Sequence, residues 1–486
     1  MKSVSIYKIA QYGIFLFFSM LLGYIVYESL TDWYLWYDEA GQFYISKGLH
    51  HNSKPFASYF GVANVIYNNR YFNLDPGGFS VLLHYWSMGS NHYAYLRLLP
   101  LLFFLVSIFV AYKIGLQLFH THFLAILLAS VFLINPIIVN LAGELRAYSM
   151  EMCGVLISLY YMKKISKDLS ISRLLILALI LDVFMTSRYG FVIDAFVISL
   201  CIIFIIYKQD GFSAKTILPI MVYSCITLMG VALVFFVSMI YQNATARPLS
   251  YVPYLGQDFQ EIIVSDISLR YYIICGYVVL CHFRRIPQDF YICMSLLIST
   301  LFVILSLFNR FPWDEHRTFS VTICQHLAIG IMVLRHLNGK KIFFAVLLFG
   351  LYGFYKYKID SFSIRFSHRE VGRVLSKEME FCVKNKNNNE IIFCGWGFQP
   401  TIRYLFEEHN WNKKFAEVYP EKIYFNNNIS YDSVKEKLMS NSAKAEEFNV
   451  RFYIFSDLEE ISPIRFRLCE GHKYVYKKVF DENNDK

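Results

Sequence analysis

Two adjacent acids, Asp38 and Glu39, stand in "TDWYLWYDEAGQFY" just after the first long apolar run, beside Trp33, Tyr34, Trp36 and Tyr37. Aromatic belts mark a membrane–water boundary. A carboxylate partly desolvated there can act as general base toward an incoming hydroxyl. The competing reading is local: the acids cap the next helix and the aromatics mark only the interface. A third acid, Asp75, opens "DPGGFSVLLHYW", where Asp-Pro-Gly-Gly reads as a turn feeding a short amphipathic helix on the membrane surface. "GELRAYSMEM" then groups Glu144, Arg146 and Tyr148. A guanidinium at that depth must pair or face water. Its planar fork suits a phosphate, with Glu144 placed to hold it, and a structural Glu–Arg pair pinning two helix ends is the alternative. "NRFPWDEHRTF" brings Arg310, His316 and Arg317 together with Asp314 and Glu315, and "TSRYGF" adds Arg188. The chemistry these residues outline is a base for an acceptor hydroxyl and cations for a phosphate that leaves with growing negative charge.

Other chemistries find less support. Ten cysteines form no CxxC pair and no Cys/His cluster, and most lie in apolar runs, where a thiol packs as a small hydrophobe. Of the three in the tail, Cys382, Cys394 and Cys469, at least one is left unpaired. A divalent metal finds no ligand set, so no cofactor is expected. The glycines of "FCGWGFQP" lack the remainder of a nucleotide fingerprint and read as a turn. Asp182 and Asp194 fall inside apolar runs, where an acid has a function or a partner such as Arg188. No basic run offers a nucleic-acid surface.

To act together, these side chains need elements that bring them to one membrane face. Of 486 residues, 56% are hydrophobic, 18% aromatic and 17% charged, against roughly a quarter charged in soluble domains. Mean hydropathy is +0.38. An ordinary cytosolic enzyme is excluded. Reading for stretches of about 20 apolar residues gives about eleven candidate spans, at 10–30, 96–117, 122–141, 150–162, 173–187, 189–207, 216–240, 271–283, 290–308, 318–335 and 341–358. The +9 net charge then falls in alternate loops, at Lys113, at Lys163, Lys164, Lys167 and Arg173, at Lys208 and Lys215, at Arg284 and Arg285, and at Arg335, Lys340 and Lys341. By the positive-inside rule the N-terminus is inside and the C-terminus outside. The first span, without a small-residue cleavage site, reads as a retained helix. Two larger parts lie outside, the loop 31–95 and the tail 361–486. In the tail, helical "REVGRVLSKEMEFCV" and "DSVKEKLMSNSAKAEEF" alternate with strand-like "EIIFC", "KIYF" and "VRFYIF", the pattern of a small α/β domain. The expected fold is an α-helical polytopic membrane core, 1–360, followed by that domain.

This layout resembles the GT-C superfamily of integral membrane glycosyltransferases, in particular the branch with protein O-mannosyltransferases and bacterial aminoarabinose transferases. The likeness covers residues 10 to 358. It rests on three motifs in order, "YDEAGQFY" in the first outer loop, "DPGGFSVLLHYW…LRLLPLLF" before the second span, and "GELRAYSMEM" after the third. Gly77-Gly78 depart from the bulkier residues that usually follow the Asp-Pro, which touches the acceptor role of Asp75. The resemblance implies a polyprenyl-phosphate sugar donor, a glycan acceptor, inversion at the anomeric carbon and a site at the outer face. Asp38 and Glu39 are then the catalytic acids, Asp38 as the expected base with Glu39 orienting it or sharing the role, and the reverse assignment open. Arg146, Arg310, His316, Arg317 and Arg188 bind the donor phosphate, and Asp75, Glu144 and Tyr148 support them.

Length, the early acidic pair and the outer tail are similar to serotype-converting phage-type O-antigen glucosyltransferases. That likeness implies glucose passed to a lipid-linked O-antigen in the periplasm, by a monomer in the bacterial inner membrane. Two rivals remain at this stage: an O-antigen polymerase or ligase, and a lipid-linked sugar flippase in which Asp182 and Asp194 are central.

Overall fold

The computed structural model describes residues 6–31, 35–49, 60–72, 75–211, 214–241, 265–308 and 317–336, with residues 391–394, 401, 404, 407–408, 423–425 and 452–455 of the tail. The chain opens with α1 (Ile6–Thr31), an apolar helix whose Tyr12, Leu16, Met20 and Tyr27 remain exposed, as a lipid-facing surface requires. Three short helices follow in the long loop, α2 (Tyr37–Ser46), α3 (Val62–Phe72) and α4 (Gly78–Trp86). The core continues with α5 (Tyr93–Phe119), α6 (His122–Ile134), α7 (Pro136–Ala142), α8 (Tyr148–Lys167), α9 (Ile171–Met185) and α10 (Tyr189–Asp210). α11 (Ala214–Val234) runs into a π turn (Phe235–Met239), and α12 (Asp266–Phe283), α13 (Phe290–Leu307) and α14 (Phe319–His336) complete the described bundle.

Six of the described helices are long and apolar enough to cross a membrane: those covering Gln11–Thr31, Tyr93–Phe119, Tyr189–Gln209, Ile217–Met239, Phe290–Leu307 and Phe319–His336. The pair α6–α7 is apolar enough only when its two helices are taken together, and it bends by 79° between them, as in a broken span or a re-entrant loop. The break is encoded locally. Asn135 takes extended backbone and its Oδ1 accepts from the Ile138 amide at 3.0 Å, while Pro136 starts the new helix where no amide is needed. The protein is thus a multi-pass membrane protein. The expected spans 150–162, 173–187 and 271–283 are helical as α8, α9 and α12 but fall short in length or apolarity for a crossing by themselves. For α8 the reason is its place. It packs against α5, α7, α9, α10 and α14 and buries Met150, Met152, Val155, Leu156, Leu159 and Met162, so most of its surface meets protein rather than lipid. The expected span 341–358 and the boundary near residue 360 lie outside the described residues.

In the tail, three strand-like runs pair as a parallel sheet of order β2-β1-β3, with β1 (Ile391–Cys394) between β2 (Ile423–Phe425) and β3 (Phe452–Phe455). Parallel neighbours require long crossovers, which agrees with the alternating helical and strand patterns of the sequence. After β1 the chain meets the loop helices: the buried Tyr404 ring packs edge-on to Phe43 of α2 at 5.4 Å, and its hydroxyl donates to the Asn91 carbonyl at 2.8 Å.

Candidate active site

The first turn of α2 divides the acidic pair. Glu39 is buried and turned into the bundle, where it meets the fully buried Arg97 of α5 in a two-pronged bond, Nε to Oε1 at 3.0 Å and Nη2 to Oε2 at 2.5 Å. The Leu145 amide donates to Glu39 Oε1 at 2.9 Å and the Trp36 amide to Oε2 at 3.4 Å. A third Arg97 bond goes to the Ser29 carbonyl at the end of α1. A desolvated charge pair of this kind holds only because its hydrogen bonds are filled, and Glu39 ties α1, α2, α5 and the loop after α7 into one unit. Asp38, one residue earlier, faces the other way.

Asp38 lies 3.2 Å from Arg146 Nη1, in the loop before α8. Arg146 also reaches Asp75, 3.6 Å from its Nη2. Asp75 in turn meets Arg188 Nε at 3.3 Å, and Arg188 Nη1 donates to Glu151 Oε2 at 3.3 Å. The Arg188 guanidinium lies over the Tyr148 ring, 4.3 Å from its centre. Two guanidiniums thus alternate with three carboxylates at one end of the bundle. Burial works against both cations. The charges of Asp38, Asp75 and Glu144 outweigh it at Arg146, and those of Glu151 and Asp75 at Arg188, so both arginines stay charged with pKa above the ordinary value. The carboxylates differ in access: the Asp38 side chain is 34% exposed, against 8% for Asp75 and 0% for Glu151.

Local sequence explains how distant segments meet. Gly77 has φ of +102°, a conformation that a side chain would strain. Gly78 comes so close to the α9–α10 turn that a β-carbon on it would collide with Thr186, and its amide donates to the Thr186 carbonyl at 2.9 Å. The two glycines thereby fasten the Asp75 turn to the turn that carries Arg188. Below it runs a buried polar chain. Gln42 of α2 donates to Ser80 of α4 at 2.6 Å, Ser80 to Asn69 of α3 at 2.7 Å, and Asn69 to the Asp75 carbonyl at 2.8 Å. On the far side, the α6–α7 bend directs the chain into Glu144–Arg146. Asn135 donates from Nδ2 to His326 Nε2 of α14 at 2.6 Å, and Ser149 bonds to the Ala142 carbonyl at 2.8 Å.

Of the residues singled out in the sequence, Asp38, Asp75, Arg146, Tyr148 and Arg188 come together here. Glu144 is buried beside Arg146 and adds to its electrostatic surroundings. The Arg317 backbone lies against Gly190, at the start of α10, and Phe319 meets Tyr148 edge-on at 5.7 Å, which puts Arg317 at the same end of the bundle. Arg310 and His316 lie outside the described residues. Arg97 and Glu151 belong to the site but were not singled out. Their signal was present: Arg97 is a cation in the apolar "YLRLLPLLF", and Glu151 follows Tyr148 by three positions, on the same helix face. Asp182 lies against Gly230 of α11. Among the described residues, no group of three or more His, Cys, Asp or Glu could hold a metal ion.

No protein-family model and no curated protein matches the sequence. Among solved structures, the chain is similar to ArnT from Cupriavidus metallidurans, a crystal structure in the apo state. The TM-score is 0.50 at 11% identity, covering 93% of this chain and 95% of that one. At this identity the likeness is one of fold alone.

Proposed function

We propose that this chain is an inverting glycosyltransferase that moves a sugar, glucose, from a polyprenyl-phosphate donor to a lipid-linked O-antigen or other surface glycan. It does so at the periplasmic face of the bacterial inner membrane. The observation that carries this reading is the accessible Asp38 carboxylate paired with Arg146, which shares Asp75 with Arg188 at one end of the helical bundle. Asp38 takes the proton of the acceptor hydroxyl. The hydroxyl oxygen attacks the anomeric carbon from the face opposite the phosphate, the carbon–oxygen bond to phosphate breaks, and polyprenyl phosphate leaves with one added negative charge. Arg146 and Arg188 stabilise that charge, as donors fixed in advance in a partly dry site. Arg317 adds positive charge at this end, and Arg310 and His316, which precede it in sequence, are assigned to the donor phosphate with it. Glu39, already engaged by Arg97 and two backbone amides, positions the turn that carries Asp38. Asp75 and Glu151 hold the arginines, and Glu144 and Tyr148 complete their surroundings.

The test follows a labelled sugar from synthetic polyprenyl-phosphate glucose into lipopolysaccharide of membranes that contain the protein, with the configuration of the new bond read by NMR. Transfer with inversion supports the reading. Transfer from no polyprenyl-phosphate sugar overturns it. In cells, deletion that shortens the O-antigen, rather than removing a side-branch sugar, would favour the polymerase.

A further inference from the structure

The charge balance of the centre constrains how a phosphate can enter it. Arg188 is held from several sides, by Asp75, by Glu151 and by the Tyr148 ring beneath its guanidinium. Arg146 faces Asp38 and Asp75 directly, with Glu144, Tyr148 and Arg188 nearby. Its buried Nε–H has no hydrogen-bond partner among the described residues. A buried donor left unfilled is costly, and a phosphate oxygen is the kind of acceptor that would fill it. Two cations already serve three carboxylates, however. An added phosphate diester at Arg146 would bring a further negative charge against the carboxylates of Asp38, Asp75 and Glu144 already around it, where like charges repel strongly. One carboxylate has to give way. Asp75 and Glu151 are sealed in the packing, whereas Asp38 is the exposed member and is joined to Arg146 by an ion pair at 3.2 Å.

We propose that Asp38 occupies, in the donor-free protein, the place on Arg146 that the phosphate of the donor takes, so that loading the donor displaces the carboxylate. The inference rests on the reading of this centre as a phosphate-donor site and adds a control to it. While paired with Arg146 the carboxylate is held away from the acceptor. Once phosphate has taken its place on that cation, the released carboxylate is free to turn toward the acceptor hydroxyl. The base is therefore armed by the donor.

The consequence is a substitution that harms catalysis and helps binding. Equilibrium binding of undecaprenyl phosphate, inorganic phosphate and phosphatidylglycerol is measured on the full-length protein in detergent, for wild type, Asp38→Asn, Asp38→Ala and Asp168→Asn. The last changes net charge equally but lies at the opposite end of α8, paired with Arg173. Removal of the competing carboxylate is expected to tighten undecaprenyl phosphate about tenfold, a gain of about 1.4 kcal/mol, in both Asp38 variants and not in Asp168→Asn. An equal gain for inorganic phosphate assigns the effect to the phosphate group alone. A gain confined to undecaprenyl phosphate adds the prenyl chain as a requirement. A gain confined to phosphatidylglycerol overturns the donor exchange in favour of a general lipid site. Unchanged or weaker binding in the Asp38 variants overturns the exchange while leaving the donor site standing, as does an equal gain in Asp168→Asn. If wild type and variants bind no phosphate at all, the exchange and the donor-site reading fall together.

Discussion

Successive residues of a helix point about 100° apart, and in α2 that rotation turns Glu39 inward to Arg97 while Asp38 looks toward Arg146. The two acids should therefore respond differently to loss of charge. Glu39→Gln leaves a buried guanidinium without its counter-charge, which costs about 3–5 kcal/mol. Asp38→Asn breaks a pair at the solvent edge, worth about 1 kcal/mol or less. Thermal unfolding in detergent should show a large loss of stability for the first and a small change for the second. Equal losses would contradict this division of roles. Sequence reading found the pair and its setting at a membrane boundary. It favoured Asp38 as the base but left the reverse open, because the partner that separates the two acids, Arg97, is 58 residues away. Arg188 and Asp75 were likewise visible as residue types, but their pairing crosses 113 positions that no local pattern connects.

At the scale of elements, long apolar runs are legible because a span must satisfy every backbone group within itself, and each expected span among the described residues falls on a helix. Direction was not legible. The run 122–141 reads as one span, since hydropathy carries no trace of the 79° bend at Asn135-Pro136. The role of Gly77-Gly78 was also hidden: a departure from the motif of the resembling family is here what brings the Asp75 turn against Thr186. Gly78→Ala is accordingly expected to push α4 away from the α9–α10 turn and part Asp75 from Arg188. Sugar transfer should fall by roughly tenfold or more, as misplacement of about 1 Å near reacting groups can do, with α-helical circular dichroism retained. Wild-type transfer by Gly78→Ala would show that the close approach is incidental.

At the scale of the molecule, the tail bears on the loop that carries the proposed base. Tyr404 fills the space beside Phe43, Glu408 lies 3.7 Å from His92, and Glu407 influences Lys47. Truncation Tyr404→Ala should cost about 3–5 kcal/mol, read as a lower midpoint of thermal unfolding. Tyr404→Phe, which keeps the ring, should lose only the hydroxyl bonds, about 1 kcal/mol. Lys47, at the end of α2, is buried with its ammonium donating to the Ser87 carbonyl at 3.0 Å. Burial lowers its pKa from 10.5 to about 8 against the opposing pull of Glu407. Between those values the unfolded chain binds the proton and the folded chain does not. Lys47 thus makes stability rise with pH across that window, and below it the cost of the buried ammonium is present in full. Unfolding midpoints from pH 8 to 10 should show a rise in wild type that Lys47→Met flattens.

The central claim is that Asp38, set against Arg146, is the base of a sugar transfer from polyprenyl phosphate. Its most direct test is single-turnover transfer of labelled sugar from bound polyprenyl-phosphate glucose by wild-type and Asp38→Asn protein, both shown to be folded and loaded with donor. The rate is predicted to fall by about 10²-fold or more in the variant, the contribution typical of a positioned general base. Transfer at the wild-type rate by a folded, donor-loaded Asp38→Asn protein would contradict the account.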